Sequence, residues 1–331
     1  MTMASGFEKN ALAFHTQLSL RAVTPADLQK LKKIKKPDAI VGVGMGGSGL
    51  AATILQNLRN DVNIPAPVIP WKNFGLPEVS YAKNPFYLFT SFSGDTKETL
   101  DGFRSVIKNP RAAVGVIASG GELLRVAIKK GIPRVSFSPG DFAPRQTTGI
   151  LTYGCLAILK AIWPMVIAPD LSKKVNPESL RREAERIAGA IGKNNAVVFA
   201  ESTDSHLAYF WKAHLNETGK TFTSWNVLPE MNHNEIVGFE GQPKDLTAIF
   251  LEGNPKDTRA KSIREVTAGL IEASGTKTVT VSAVGTDRFE RTMQSLALGM
   301  LVAIEVAKIK NVDPQETNII QEIKKKISKF R

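Results

Sequence analysis

The chain has 331 residues, 43% of them hydrophobic, so it can bury large cores, and its length favours two domains of about 150 residues each. A single cysteine, Cys155, excludes an internal disulfide framework, fits a reducing compartment and reads, among apolar neighbours, as a core thiol. The net charge of +12 invites a nucleic-acid partner, but its densest runs, at positions 30–36 and 324–331, carry interleaved isoleucines and read as solvated helix faces whose field draws in an anionic metabolite. The polar N-terminus reads as no signal peptide, and the longest apolar stretch, 150–168, is broken by Tyr153, Lys160 and Pro164. We therefore expect a cytoplasmic protein with no membrane and no nucleic-acid partner.

Residues 39–43 form a short apolar run between Pro37 and a cluster of glycines, the pattern of a buried parallel strand feeding a helix over 50–59. The unit recurs. A strand over 86–91 leads through Ser93-Gly94-Asp95-Thr96 to a helix over 97–108, and a strand over 112–118 leads through Ser119-Gly120-Gly121 to a helix over 122–130. A strand over 134–137 and a helical stretch over 150–166 follow. The proline-bearing segment 169–177 marks a boundary, which gives domains at residues 1–170 and 171–331. Beyond it come a strand at 196–200, a helix at 204–216, a strand at 246–251, a helix at 258–273, a strand at 278–284 and a helix at 288–310. This alternation predicts two α/β domains, each a doubly wound parallel sheet. The second carries no glycine-rich loop.

The run Gly42-Val43-Gly44-Met45-Gly46-Gly47-Ser48-Gly49 lies between strand and helix, where glycines bring backbone N–H groups close to an anion and the helix dipole adds attraction. Gly42, Gly44 and Gly47 also fit the dinucleotide pattern G-x-G-x-x-G, with Asp61 near the place of a ribose-binding acid. A nicotinamide-dependent dehydrogenase is thus a competitor, and a plain tight turn is the bland alternative. Ser91-Phe92-Ser93-Gly94-Asp95-Thr96 discriminates, because it sets hydroxyls after the next strand, as a terminal phosphate requires; Asp95 and Glu98 alone would make an ordinary capping box. In an open parallel sheet both loops lie at strand carboxyl ends, where ligands bind. Gly46, Gly47, Ser48, Ser91, Ser93 and Thr96 are the expected phosphate binders.

V-G-V-G-M-G-G-S-G followed by S-F-S-G-D-T-K-E-T resembles a sugar-isomerase (SIS) domain. Asn216-Glu217, followed by Leu228-Pro229-Glu230-Met231-Asn232-His233-Asn234-Glu235, resembles the signature of the bifunctional phosphoglucose/phosphomannose isomerases. The resemblance spans both halves. It implies two SIS domains, the first with the phosphate loops and the second with the catalytic base, interconverting glucose 6-phosphate and mannose 6-phosphate with fructose 6-phosphate through a cis-enediol, with no cofactor. Nothing in the sequence suggests metal ligation: the four histidines include one close pair, and no H-E-x-x-H occurs.

Such an isomerisation needs a base between C1 and C2, a cation for the enediolate and an acid–base group to open the ring. The resemblance makes Glu217 the base, and its helical spacing from Leu207, Phe210, Trp211 and His214 turns it inward at a helix end, where burial and the dipole both raise a carboxyl pKa. It makes His233 the ring-opening group, shared across a homodimer, and Arg145 the enediolate cation. The continuation Gln146-Thr147-Thr148 departs from the small-residue run expected after that arginine. The last helix contributes a lysine, taken as Lys324 although Lys325 and Lys326 adjoin it, and Thr317 before that helix leaves room beside C3 or simply caps the helix. A non-catalytic sugar-phosphate sensor is the third possibility, with Glu217 and His233 against it.

Overall fold

The computed structural model describes residues 6–80 and 82–327; positions 1–5 and 328–331, with part of the polar N-terminus and the end of the last basic run, lie outside them. The chain forms two compact units, neither of them one continuous stretch. The first comprises Lys9–Glu178 and Val284–Ala297, the second Met1–Glu8, Ser179–Ala283 and Leu298–Arg331.

The first unit holds six strands: β1 (Thr24–Ala26), β2 (Ala39–Val43), β3 (Val68–Trp71), β4 (Pro85–Ser91), β5 (Ala113–Ala118) and β6 (Arg134–Ser136), in the order β1-β6-β5-β4-β2-β3. Only the edge pair β1 and β6 is antiparallel. Its helices are α1 (Gly6–Leu12, which begins in the other unit), α2 (Gly46–Asn57), α3 (Lys97–Val106), α4 (Gly121–Lys130) and α5 (Thr148–Ile162). β2 is buried along its whole length, as a central parallel strand must be. Val41, Val43, Phe89 and Val116 of the sheet pack with Leu100 and Phe103 of α3 and with Leu123 and Ala127 of α4. The chain winds from β2 to β3 on one side and then crosses to β4 on the other, so its direction reverses between β2 and β4, the switch point where a ligand crevice opens.

Three local expectations change here. α2 begins at Gly46 rather than at 50, so Gly46, Gly47 and Ser48 are the first turn of the helix and not a loop before it. α5 ends at Ile162, because Pro164 has no N–H to continue it. The basic run near Lys30 is a 3-10 turn, Leu28–Lys33, and not an α-helix. Cys155 is fully buried, and burial pushes its thiol up to about 12, as suits a core residue.

The second unit contains α6 (Arg181–Ile191), β7 (Asn195–Glu201), α7 (Ser205–Glu217), β8 (Thr223–Leu228), β9 (Leu246–Leu251), α8 (Thr258–Ala273) and β10 (Lys277–Val281). The far part of α9 (Arg288–Lys310) and α10 (Asn318–Ile327) complete it. Its four strands run parallel in the order β10-β9-β7-β8, a second doubly wound sheet with its switch between β7 and β9. Val197, Phe199, Leu228, Phe250 and Ile271 are central to its core. α9 is long and apolar enough to cross a membrane, but 78% of its apolar window is buried inside the protein, which makes it a core helix.

Candidate functional site

At the first switch point the two hydroxyl-bearing segments are knitted together. Ser48 Oγ accepts the Phe92 N–H at 3.0 Å, which ties the start of α2 to the segment after β4. Ser91, fully buried, accepts the Gly94 N–H at 3.0 Å and pairs with Thr96 Oγ1 at 3.0 Å, while Ser93 accepts the Asp95 N–H at 3.2 Å. Gly94 has a φ of +76°, and a side chain there would run into the Gly120 carbonyl, so this turn requires glycine. Asp95 does not make the capping box that its spacing from Glu98 offered as the plainer alternative: its carboxylate accepts the Glu122 N–H at 2.8 Å and caps the neighbouring α4 instead. Ser48 and Ser93, each accepting a backbone N–H, can turn their own O–H toward an anion, while one O–H of the Ser91–Thr96 pair is spent on the other.

Arg145 belongs to the same unit and lies beside this crevice. The 3-10 turn Pro144–Gln146 that carries it is pinned by Gln146, whose Oε1 accepts the Ala143 N–H at 3.1 Å and whose carbonyl accepts from Gln17 Nε2 at 2.8 Å. A Cβ built on Gly47 would lie 3.6 Å from Arg145 Cα, so the arginine's backbone adjoins the glycine turn. Lys72, just past β3, packs its stem 3.2 Å from the corresponding position on Gly49, and burial lowers its ammonium pKa. Sequence patterning gave no sign of Lys72, because nothing marks the residue after a short strand as belonging to a loop far away in the chain. Asp61, which a dinucleotide would need, is paired with Arg288 at 3.1 Å.

In the second unit, Glu217 and Thr317 come together. Glu217, Asn216, Lys220, Thr317, Ile319 and Ile320 line one cleft of about 400 Å³. Glu217 is the last residue of α7 and is half-buried, while Leu207, Phe210, Trp211 and His214 on its stripe are buried. Asn216 holds this helix end to β8, donating to the carbonyls of Lys212 at 2.8 Å and Thr223 at 2.9 Å. Lys220, missed in the sequence, donates to the carbonyls of both Glu217 and Glu316 at 2.6 Å and so straps the two walls of the cleft. Burial and the Glu217 charge push the Tyr209 hydroxyl above its ordinary pKa. His233 and Lys324 are exposed and are not among the residues lining this cleft.

The second sheet has its own crevice, about 440 Å³, at the carboxyl ends of β7 and β8. Glu201, Asp204 and Asp257 line it against Arg259, and burial raises the Glu201 carboxyl despite its bond to Arg264 at 2.5 Å. Three carboxylates are the wrong lining for a phosphate, whereas the first switch point gathers hydroxyls. Among the described residues no group of His, Cys, Asp and Glu is placed to hold a metal ion.

The two doubly wound parallel sheets give this chain the fold of two sugar-isomerase (SIS) domains. Residues 180–327 match the family of the bacterial phosphoglucose isomerase C-terminal SIS domain. Over nearly the whole chain the similarity is to bifunctional phosphoglucose/phosphomannose isomerases, several of them 26–28% identical. That of Aquifex aeolicus is 27% identical over 293 residues, covering 88% of this chain and 90% of its own. A D-glucosamine-6-phosphate 4-epimerase of Sulfolobus acidocaldarius is 29% identical over 72% of this chain and 74% of its own. Among solved structures, a hypothetical protein from Thermus thermophilus shares the fold at a TM-score of 0.70 and 15% identity, covering 98% of this chain and 91% of that one.

Proposed function

We propose that the protein is an aldose–ketose isomerase that interconverts fructose 6-phosphate with glucose 6-phosphate and mannose 6-phosphate through a cis-enediol. The observation that carries this reading is the pair of hydroxyl-bearing turns locked across the switch point of the first sheet, in a chain whose relatives over nearly its full length are bifunctional isomerases. Ser48, Ser91, Ser93 and Thr96, with the N–H groups at Gly46 and Gly47, hold the non-reacting phosphate. Glu217 carries the proton between C1 and C2, and Arg145 steadies the enediolate charge. Lys324 lies one turn beyond the cleft-lining Ile320, on the same helical face, which favours it over Lys325 and Lys326.

His233 opens the sugar ring. Its exposed place at the end of the turn Glu230–His233, apart from the Glu217 cleft, supports service to the site of a second copy in a homodimer. Thr317 shares a cleft with Glu217, and its short side chain leaves the space in which the enediol rotates about C2–C3 to offer either face to one base. The protein works in the cytoplasm on hexose phosphates, as a step of sugar catabolism and synthesis, without a cofactor.

The test is incubation with fructose 6-phosphate in deuterated water, without added metal or nicotinamide, followed by NMR. Both aldoses appear, labelled at C2. Labelled glucose 6-phosphate alone at long times removes the dual specificity, and failure to form either removes the isomerase. Conversion of glucosamine 6-phosphate to its C4 epimer would instead assign the reaction named for the Sulfolobus acidocaldarius relative.

A further inference from the structure

Thr148, the first residue of α5, is 1% exposed, and its Oγ1 has no hydrogen-bond partner among the described residues. A buried hydroxyl without a partner is costly, and valine would fill the same volume without that penalty. The hydroxyl faces the anion turn: a Cβ placed on Gly47 would lie 3.9 Å from Thr148 Oγ1 and 3.5 Å from the Pro144 carbonyl. Those are ordinary contact distances, and Gly47, unlike Gly46 at φ +51°, is not in the left-handed region. Neither sterics nor backbone geometry therefore requires glycine at 47. What glycine leaves there is a methyl-sized gap, with an unsatisfied hydroxyl on its far side.

We propose that Thr148 is a positioning residue for the phosphate turn, its hydroxyl taking up a hydrogen bond with the backbone of residues 46–48 as that turn closes on the anion. The inference rests on the isomerase reading, specifically on phosphate binding at the first switch point. It also gives a use to the threonine that departs from the small-residue run after Arg145. The free protein carries an unmade bond, and binding makes it, so the hydroxyl favours the liganded state over the free one.

The experiment compares the wild type with Thr148→Val, Thr148→Ser and Gly47→Ala, measuring fructose 6-phosphate and inorganic phosphate binding by calorimetry, kcat and KM, and ligand-free melting. Thr148→Val should weaken both ligands and raise KM by roughly 5- to 30-fold, the worth of one hydrogen bond, with kcat little changed and melting equal to or above wild type. Thr148→Ser should restore affinity. Gly47→Ala, which fills the gap, should weaken binding while still folding. Wild-type affinity in Thr148→Val or Gly47→Ala overturns the proposal, as does a loss of affinity in Thr148→Val that tracks lowered melting and is not restored by serine. A wild type that binds neither ligand fails earlier, at the isomerase reading itself.

Discussion

Glu217 ends a helix whose inward stripe is otherwise buried, and it shares a cleft with Thr317. Glu217→Gln keeps volume and hydrogen bonding but removes the basicity of the carboxylate proposed to carry the proton. Turnover should fall by roughly 10²- to 10⁴-fold in a coupled isomerase assay, with inhibitor binding retained. Near-normal kcat would remove Glu217 from the proton path. The serines divide by burial. Ser91 is fully buried and supports Gly94 and Thr96, so Ser91→Ala should raise KM and also cost about 1–2 kcal/mol of stability in denaturant unfolding. Ser48→Ala loses one tie, to Phe92, and should act mainly on KM. The hydroxyl cluster was legible because its residues are contiguous. Lys72 and Lys220 were not, since each owes its place to a partner segment far along the chain.

At the scale of elements, strands buried on both faces were the most legible: 39–43 and 246–251 are continuous apolar runs and fold with those bounds. β8 escaped notice because it is an edge strand, Thr-Ser-Trp-Asn-Val-Leu, with its middle exposed or half-buried and no apolar run to mark it. The start of α2 is hidden for the opposite reason, since glycines read as loop while their N–H groups already turn into the helix at Gly46. The element that makes the Glu217 cleft is the Lys220 strap, which joins the end of α7 to the stretch before α10. Lys220→Met should lower kcat/KM by about 10- to 100-fold by letting the two walls drift, yet melting should move little because the lysine is exposed. A melting loss that matches the activity loss would make the strap merely structural.

At the scale of the whole molecule, alternating strands and helices made two α/β sheets legible, whereas the exchange of segments between the units was not. α9 reads as one uninterrupted apolar helix, yet its residues to Ala297 belong to the first unit and those from Leu298 to the second. Helical periodicity is blind to which core a face meets. The same holds for Glu8, a buried carboxylate at the far N-terminus that meets Arg181 of α6 at 2.6 Å and Lys308 of α9 at 3.1 Å, all within the second unit. Burial alone would raise its pKa, but the hydrogen bonds and charges of Arg181 and Lys308 outweigh that and hold it below the ordinary 4.5. The folded state thus binds the Glu8 proton less tightly than the unfolded chain does. The stability this contributes is fully present above pH 4.5 and drains away as pH falls from there through the lower folded pKa. Glu8→Gln should therefore cost about 1.5–3 kcal/mol in urea unfolding at pH 7, the worth of hydrogen bonds to charged partners. The gap between variant and wild type should narrow steadily below pH 4.5, where the wild-type carboxyl gains the proton that makes it equivalent to the amide. A gap that stayed constant down to acid pH would mean that shape, rather than charge, is what Glu8 supplies.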